Sequence, residues 1–103
     1  MERNHDRWTT CDFNALEQRA LSLKGAGRFR DAMAIYFFMG DGDPSLDAGY
    51  LANRIGECHE ALGELHAAKW WYGRAVEENP QILKYQEARR RLANLGIESL
   101  PSN

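Results

Sequence analysis

The sequence predicts an all-α fold, a helical solenoid of about five antiparallel helices, and three observations predict it. The chain matches itself at an offset of 36 residues, so that Gly27, Ala32, Tyr36 and Pro44 return as Gly63, Ala68, Tyr72 and Pro80. Self-similarity at a fixed period marks one supersecondary unit stacked on copies of itself. Within each copy, small and apolar residues recur at steps of three and four, the spacing of one helix face. Glycines and Asx-Pro steps then punctuate the copies at matched places.

The elements follow in order. Residues 1–12 form an irregular lead of mixed charge. Leu16, Ala20 and Leu23 give the inward stripe of a first helix over 13–26. Gly27 closes that helix, because glycine takes the left-handed conformation at no steric cost. Ala32, Ile35, Tyr36 and Met39 predict a second helix over 29–40, with a small residue where two backbones approach closely. The Asp43-Pro44 step ends the pair; the Asx side chain caps the next helix and proline suits its first turn. A third helix over 45–62 carries Ala52, Gly56 and His59 inward, and Gly63 closes it. A fourth over 65–78 carries Ala68, Trp71, Tyr72 and Ala75 and stops at Asn79-Pro80. A fifth over 80–95 has Ile82, Tyr85, Ala88, Leu92 and Leu95 on one side, with Lys84, Glu87, Arg89, Arg90 and Arg91 around them. A charged outer face on a terminal helix stops further stacking, so this one reads as a cap. The helical domain is therefore 13–95, built of units 13–48 and 49–84 with the capping helix 80–95, and 96–103 is a tail.

Composition narrows the function. A chain of 103 residues, 44% hydrophobic and 27% charged, is one domain and too polar-apolar balanced to be disordered. A net charge of -2 provides no overall attraction to nucleic acid or to an anionic membrane. Cys11 and Cys58 are too few and too far apart for a disulfide framework or a zinc knuckle, which fits a reducing compartment. Residues 1–12 lack the apolar segment of a signal or a membrane span. The expected setting is cytoplasmic, with no membrane association.

These residues resemble a tetratricopeptide repeat. The second unit carries its pattern as Gly56, Gly63, Ala68, Tyr72, Ala75 and Pro80; the first carries Ala20, Gly27, Ala32, Tyr36, Met39 and Pro44, with Phe29 as the aromatic after the turn glycine. The resemblance covers about residues 13–95. The family period is 34, so each unit here has two extra residues, with 40–43 and 77–79 their places. His59 stands where an aromatic is usual, and Met39 replaces a small residue, which splays the first pair. The Sel-like repeat shares an Ala-x-x-Trp-Tyr-x-x-Ala run similar to Ala68, Trp71, Tyr72 and Ala75, but it has a longer loop than 61–65 supplies, and the tetratricopeptide reading is preferred. That resemblance implies a right-handed solenoid that binds a protein or peptide on its concave face, lined by the first helix of each unit. The groove positions are then Asn14, Glu17, Leu21 and Lys24; Tyr50, Asn53, Arg54, Glu57 and Glu60; and Gln86, Arg89 and Arg90. The family's carboxylate clamp of Lys, Asn and Arg falls here on Glu17, Leu21, Arg54, Gln86 and Arg90, of which only Arg90 matches in kind. A chaperone-type clamp is not expected, although Arg54 with Arg90 fits an acidic peptide.

The aromatic runs Ile35–Met39 and Trp70–Tyr72 exceed what one helix face buries. In the pattern of the family they resemble, Tyr36 and Tyr72 pack within the pair and Ile35 and Trp71 face neighbouring helices, which leaves Phe37, Phe38 and Trp70 toward the usually solvated side. Three readings stand: the lead, with Trp8 and Phe13, folds over them; they anchor a homodimer or partner interface; or they are isolated exposed aromatics. Other chemistries are weaker. Arg89, Arg90 and Arg91 lack a glycine-rich phosphate loop and read as a solvated face rather than a nucleic-acid site. Cys58, His59 and His66 do not converge as metal ligands, and Asp41, Asp43 and Asp47 fail the spacing of a calcium loop. Glu57 and Glu60 form the one close carboxylate pair in the groove, a common occurrence on helices without chemistry, so neither catalysis nor a cofactor is expected. The sequence thus points to a small non-catalytic adaptor or scaffold, with self-assembly through the aromatics as the alternative.

Overall fold

The structure, a computed structural model, describes residues 10–43 and 45–97. It is all-α. Five helices follow one another: α1 (Thr10–Gly25), α2 (Phe29–Met39), α3 (Tyr50–Ala61), α4 (Leu65–Glu78) and α5 (Leu83–Asn94). The described residues contain no strand. The main contacts join each helix to the next along the chain.

Three helices end identically. Arg28 N–H donates to Leu23 O at 2.8 Å and Gly27 N–H to Lys24 O at 3.0 Å; Glu64 and Gly63 repeat these bonds to His59 O and Glu60 O, and Ile97 and Gly96 repeat them to Leu92 O and Ala93 O. This paired closure needs a left-handed residue, and Gly27, Gly63 and Gly96 all have φ near +80°. The third closure is new relative to the sequence reading: Gly96 follows Gly63 by 33 residues rather than 36.

Three helix starts differ from expectation. α1 begins at Thr10 instead of residue 13, so residues 10–12 of the expected irregular lead are helical. α3 begins at Tyr50 instead of residue 45, because the Asp43 carboxylate holds the preceding segment in another shape. It accepts from Ser45 N–H at 3.0 Å, Ser45 Oγ at 2.8 Å and Asp47 N–H at 2.9 Å. The backbone then passes through Leu46, Asp47, Ala48 and Gly49, all with positive φ. Three consecutive non-glycine residues there cost about 1–2 kcal/mol each, so the loop is strained. Gly49 ends it where nothing larger fits: a Cβ would lie 2.7 Å from Ala75 O and 3.2 Å from the Tyr85 ring. Asp43 therefore caps a left-handed turn and not a helix; Pro44 lies outside the described residues. The capping helix likewise starts at Leu83 instead of Pro80, since Ile82 N–H turns back to Asn79 O at 3.2 Å. The α2–α3 connection spans 40–49 and the α4–α5 connection only 79–82.

The core lies between successive helices. Ala20, Ala32, Met33, Tyr36, Leu51, Ile55 and Cys58 form its largest cluster; Ala52, Ala75 and Tyr85 form a second, and Ala68, Tyr72 and Leu92 a third. Burying Leu51 or Ile55 contributes about 2 kcal/mol apiece. Gly56 sets the α3–α4 distance, because a Cβ would come within 2.8 Å of the Tyr72 ring.

Candidate functional site

α1, α3 and α5 share one polar face. Lys24 on α1 reaches Glu57 on α3 at 2.6 Å, and Arg54 meets the same Glu57 oxygen at 3.1 Å. Arg54 Nε also donates to Tyr50 Oη at 2.9 Å while its guanidinium lies 5.1 Å from the Tyr50 ring centre. Tyr50 in turn donates to Glu17 on α1, and Asn53 Nδ2 donates to Glu57 at 3.3 Å. Further along α3, Glu60 accepts from Tyr72 Oη at 2.7 Å and from both terminal nitrogens of Arg91. A groove of about 650 Å³ opens beside these pairs, bordered by Asn53, Glu57, Glu60, Tyr72, Lys84, Glu87, Ala88 and Arg91 among others.

The electrostatics fix the charges. Burial raises the Glu57 carboxyl, but the hydrogen bonds and charges of Lys24 and Arg54 outweigh it and hold the group below the ordinary carboxylate range. Arg91 holds Glu60 low, against partial burial and with help from Tyr72. Burial and the Glu60 hydrogen bond push the Tyr72 phenol up, and burial with the Glu17 bond does the same to Tyr50. Glu57 and Glu60 are thus fixed anions, each tied to a cation on another helix. Such an arrangement presents a fixed pattern of charges of both signs beside the groove.

The sequence-predicted positions divide. Glu17, Lys24, Tyr50, Asn53, Arg54, Glu57 and Glu60 lie on the face shared by α1 and α3. Asn14 is exposed one turn before Glu17 on α1, apart from the hydrogen-bonded set. Arg89 and Arg90, with Gln86, do not join the groove: they line the opposite side of α5 with Lys69, Val76 and Ala93. The clamp resemblance accordingly loses Arg90. The cause is register. Leu51 and Cys58 pack toward α2, and Tyr85 and Leu92 pack toward α4, an offset of 34 in place of 36. Two residues turn a helix by about 200°, enough to carry a groove residue to the back. Lys84, Glu87 and Arg91 are what that shift brings forward, since they stand 34 residues after Tyr50, Asn53 and Glu57.

The aromatic positions also divide. Trp71 is the hub, with Phe37 edge-on at 5.6 Å and Trp70 edge-on at 4.9 Å. Phe37 remains 46% exposed and Phe38 53%, while Trp70 is half-buried. Phe13 lines a hollow with Met39 and Leu51, and Trp8 lies outside the described residues. Two buried polar atoms, Tyr36 Oη and Trp71 Nε1, have no hydrogen-bond partner among the described residues. Cys58 is buried and its thiol is pushed up to about 11, chiefly by that burial. No group of three or more metal-ligating side chains occurs among the described residues, and no described helix is long and apolar enough to cross a membrane. Comparison with protein-family models, with curated proteins and with solved structures returns no match.

Proposed function

We propose that this chain is a tetratricopeptide-type, right-handed helical solenoid that acts as a non-catalytic adaptor, binding an extended segment of a protein partner along the face shared by α1, α3 and α5. One observation carries the reading: side chains of α1, α3 and α5 are tied across that face by Lys24–Glu57 and Glu60–Arg91, beside an open groove of about 650 Å³. Pairing within the face leaves Lys84 and Glu87, both exposed on the groove wall, as the residues offered to a ligand. The alternation of signs suits a partner with both charges rather than a polyanion, and a cytoplasmic protein is the proposed partner class. Affinity capture with the wild type and with Lys84→Glu/Glu87→Lys tests it. A partner lost on this swap and retained by a surface swap on α2 supports the groove; identical partners for both proteins refute it.

A second reading, self-assembly through Phe37, Phe38 and Trp70, is favoured by the exposure of Phe37 and Phe38. Sedimentation of the wild type and of Phe37→Glu decides it. A dimer that the substitution dissociates supports it, and a monomer in both counts against it.

A further inference from the structure

The back of α5 carries a second surface with a different chemistry. Between α4 and α5 lies a groove of about 570 Å³, with Lys69 and Val76 on one wall and Gln86, Arg89, Arg90 and Ala93 on the other. Three cations border it and no carboxylate does. Arg28, Arg30, Arg54, Arg74 and Arg91 each hold a carboxylate elsewhere in the fold. Arg89 and Arg90 hold none among the described residues, although the chain as a whole carries a net charge of -2. The stem of Arg89 crosses α4 over Gly73, where an added Cβ would stand 3.8 Å from Arg89 Cδ, so α4 is flat beneath it. Val76 and Ala93 supply an apolar strip.

The position of this groove explains its shape. At an offset of 34, its α5 wall corresponds to Ala52, Ile55, Gly56 and His59 of α3, all of which are buried. α4 packs on that α3 face, with Ala75 on Ala52 and the Tyr72 ring on Gly56. The α4–α5 groove is therefore a helix-sized seat whose next helix is not among those described. Its wall carries Gln86 and Arg90 where the occupied seat has Ala52 and Gly56, with Arg89 beside them. A purely apolar helix would strand both guanidiniums, whereas a carboxylate-bearing one satisfies them with forked hydrogen bonds.

We propose that this seat binds an acidic amphipathic helix of a protein partner, its carboxylates on Arg89, Arg90 and Lys69 and its small apolar residues on Val76 and Ala93. Nucleic acid is disfavoured by the apolar strip and by the small number of cations, since polyanion binding rests on many phosphate contacts.

The test uses the full chain, isotopically labelled, titrated with a synthetic helical peptide carrying glutamates at i, i+3 and i+7 and alanine or leucine between them. Shifts are expected at the Val76 and Ala93 amides and the Arg89 and Arg90 side chains, with binding weakened by added salt. Arg89→Glu/Arg90→Glu is expected to weaken binding by about tenfold or more, and Arg89→Gln/Arg90→Gln by less. Both positions are exposed, so the variants are expected to stay helical, which circular dichroism checks. Four results overturn the proposal: no shift at these groups, equal binding of the glutamine version of the peptide, tighter binding of a single-stranded oligonucleotide of the same charge, or peptide binding that begins only when residues 98–103 are removed, which makes that tail the occupant.

Discussion

Tyr36 and Tyr72 occupy the same place in the two copies and have opposite hydrogen-bond fates, so removing each hydroxyl gives opposite results. Tyr72 Oη donates to the ionised Glu60 at 2.7 Å, whereas Tyr36 Oη is buried with no partner among the described residues. The counterpart of Glu60 one copy earlier is Lys24, which is occupied by Glu57. A hydrogen bond to a charged group contributes about 1.5–3 kcal/mol, and Glu60 keeps Arg91 after the loss, which places Tyr72→Phe near the lower end, about 1.5 kcal/mol destabilising. Tyr36→Phe removes a desolvated hydroxyl that returns nothing, so it is expected to be neutral or stabilising by up to about 1 kcal/mol. In a domain of this size 1.5 kcal/mol lowers the melting temperature by roughly 6–12 °C. Urea unfolding followed by circular dichroism, with an unchanged slope, reads both values. Equal destabilisation by the two substitutions would refute the reasoning, because it would mean that Tyr36 Oη has a partner of equal worth.

Further outcomes follow from the same geometry. Glu57 and Glu60 titrate lower folded than unfolded, so their stabilisation is complete above the unfolded value of about 4.3 and is lost as pH falls through the folded values. Glu57→Gln/Glu60→Gln should therefore flatten the acid limb of a stability-versus-pH curve, and an unchanged acid limb contradicts the ion-pair account. Gly49→Ala is expected to cost more than about 2 kcal/mol, because it adds a clash with Ala75 O to a left-handed backbone, while Gly63→Ala, with open space around it, costs about 1 kcal/mol. Thermal unfolding ranks them, and the reverse order refutes the close approach. In a Cys11→Ser background at pH 8, Cys58 should react with a disulfide reagent only at the rate of unfolding, since it is buried and its thiol is pushed up to about 11; fast reaction in the native state rules that out.

Much of the fold is legible in the sequence where the signal is local. α2 and α4 run from Phe29 and Leu65 as expected, because the turn glycine, the small residue and the aromatic of each pair act within one helical hairpin. The start of α3 is not legible. Asp43-Pro44 reads as the cap and first turn of a helix from residue 45, yet Asp43 captures the Ser45 and Asp47 amides, and three non-glycine residues, Leu46, Asp47 and Ala48, turn left-handed ahead of Gly49. The groove is half legible for a related reason. Residues of α1 and α3 fall together because one period relates them, whereas α5 follows a shorter connection and rotates Arg89 and Arg90 away. Nor do the turn glycines give that register: Gly96 follows Gly63 by 33 residues, which would set Arg91 on the buried Cys58, whereas the packing offset of 34 sets it on Glu57. The Glu60–Arg91 pair spans 31 residues and has no local signature.

The closure at Gly96 also governs how this protein is handled. After Gly27 and Gly63 the same two hydrogen bonds swing the chain straight into α2 and α4, each laid back along the helix it follows. Gly96 and Ile97 give the chain that same heading at the carboxyl end of α5, and Lys69 Nζ clasps the Ile97 carbonyl at 3.0 Å. Bulk attached at that turn stands beside Lys69 on the rim of the basic seat, so labels for interaction screening belong away from Ile97.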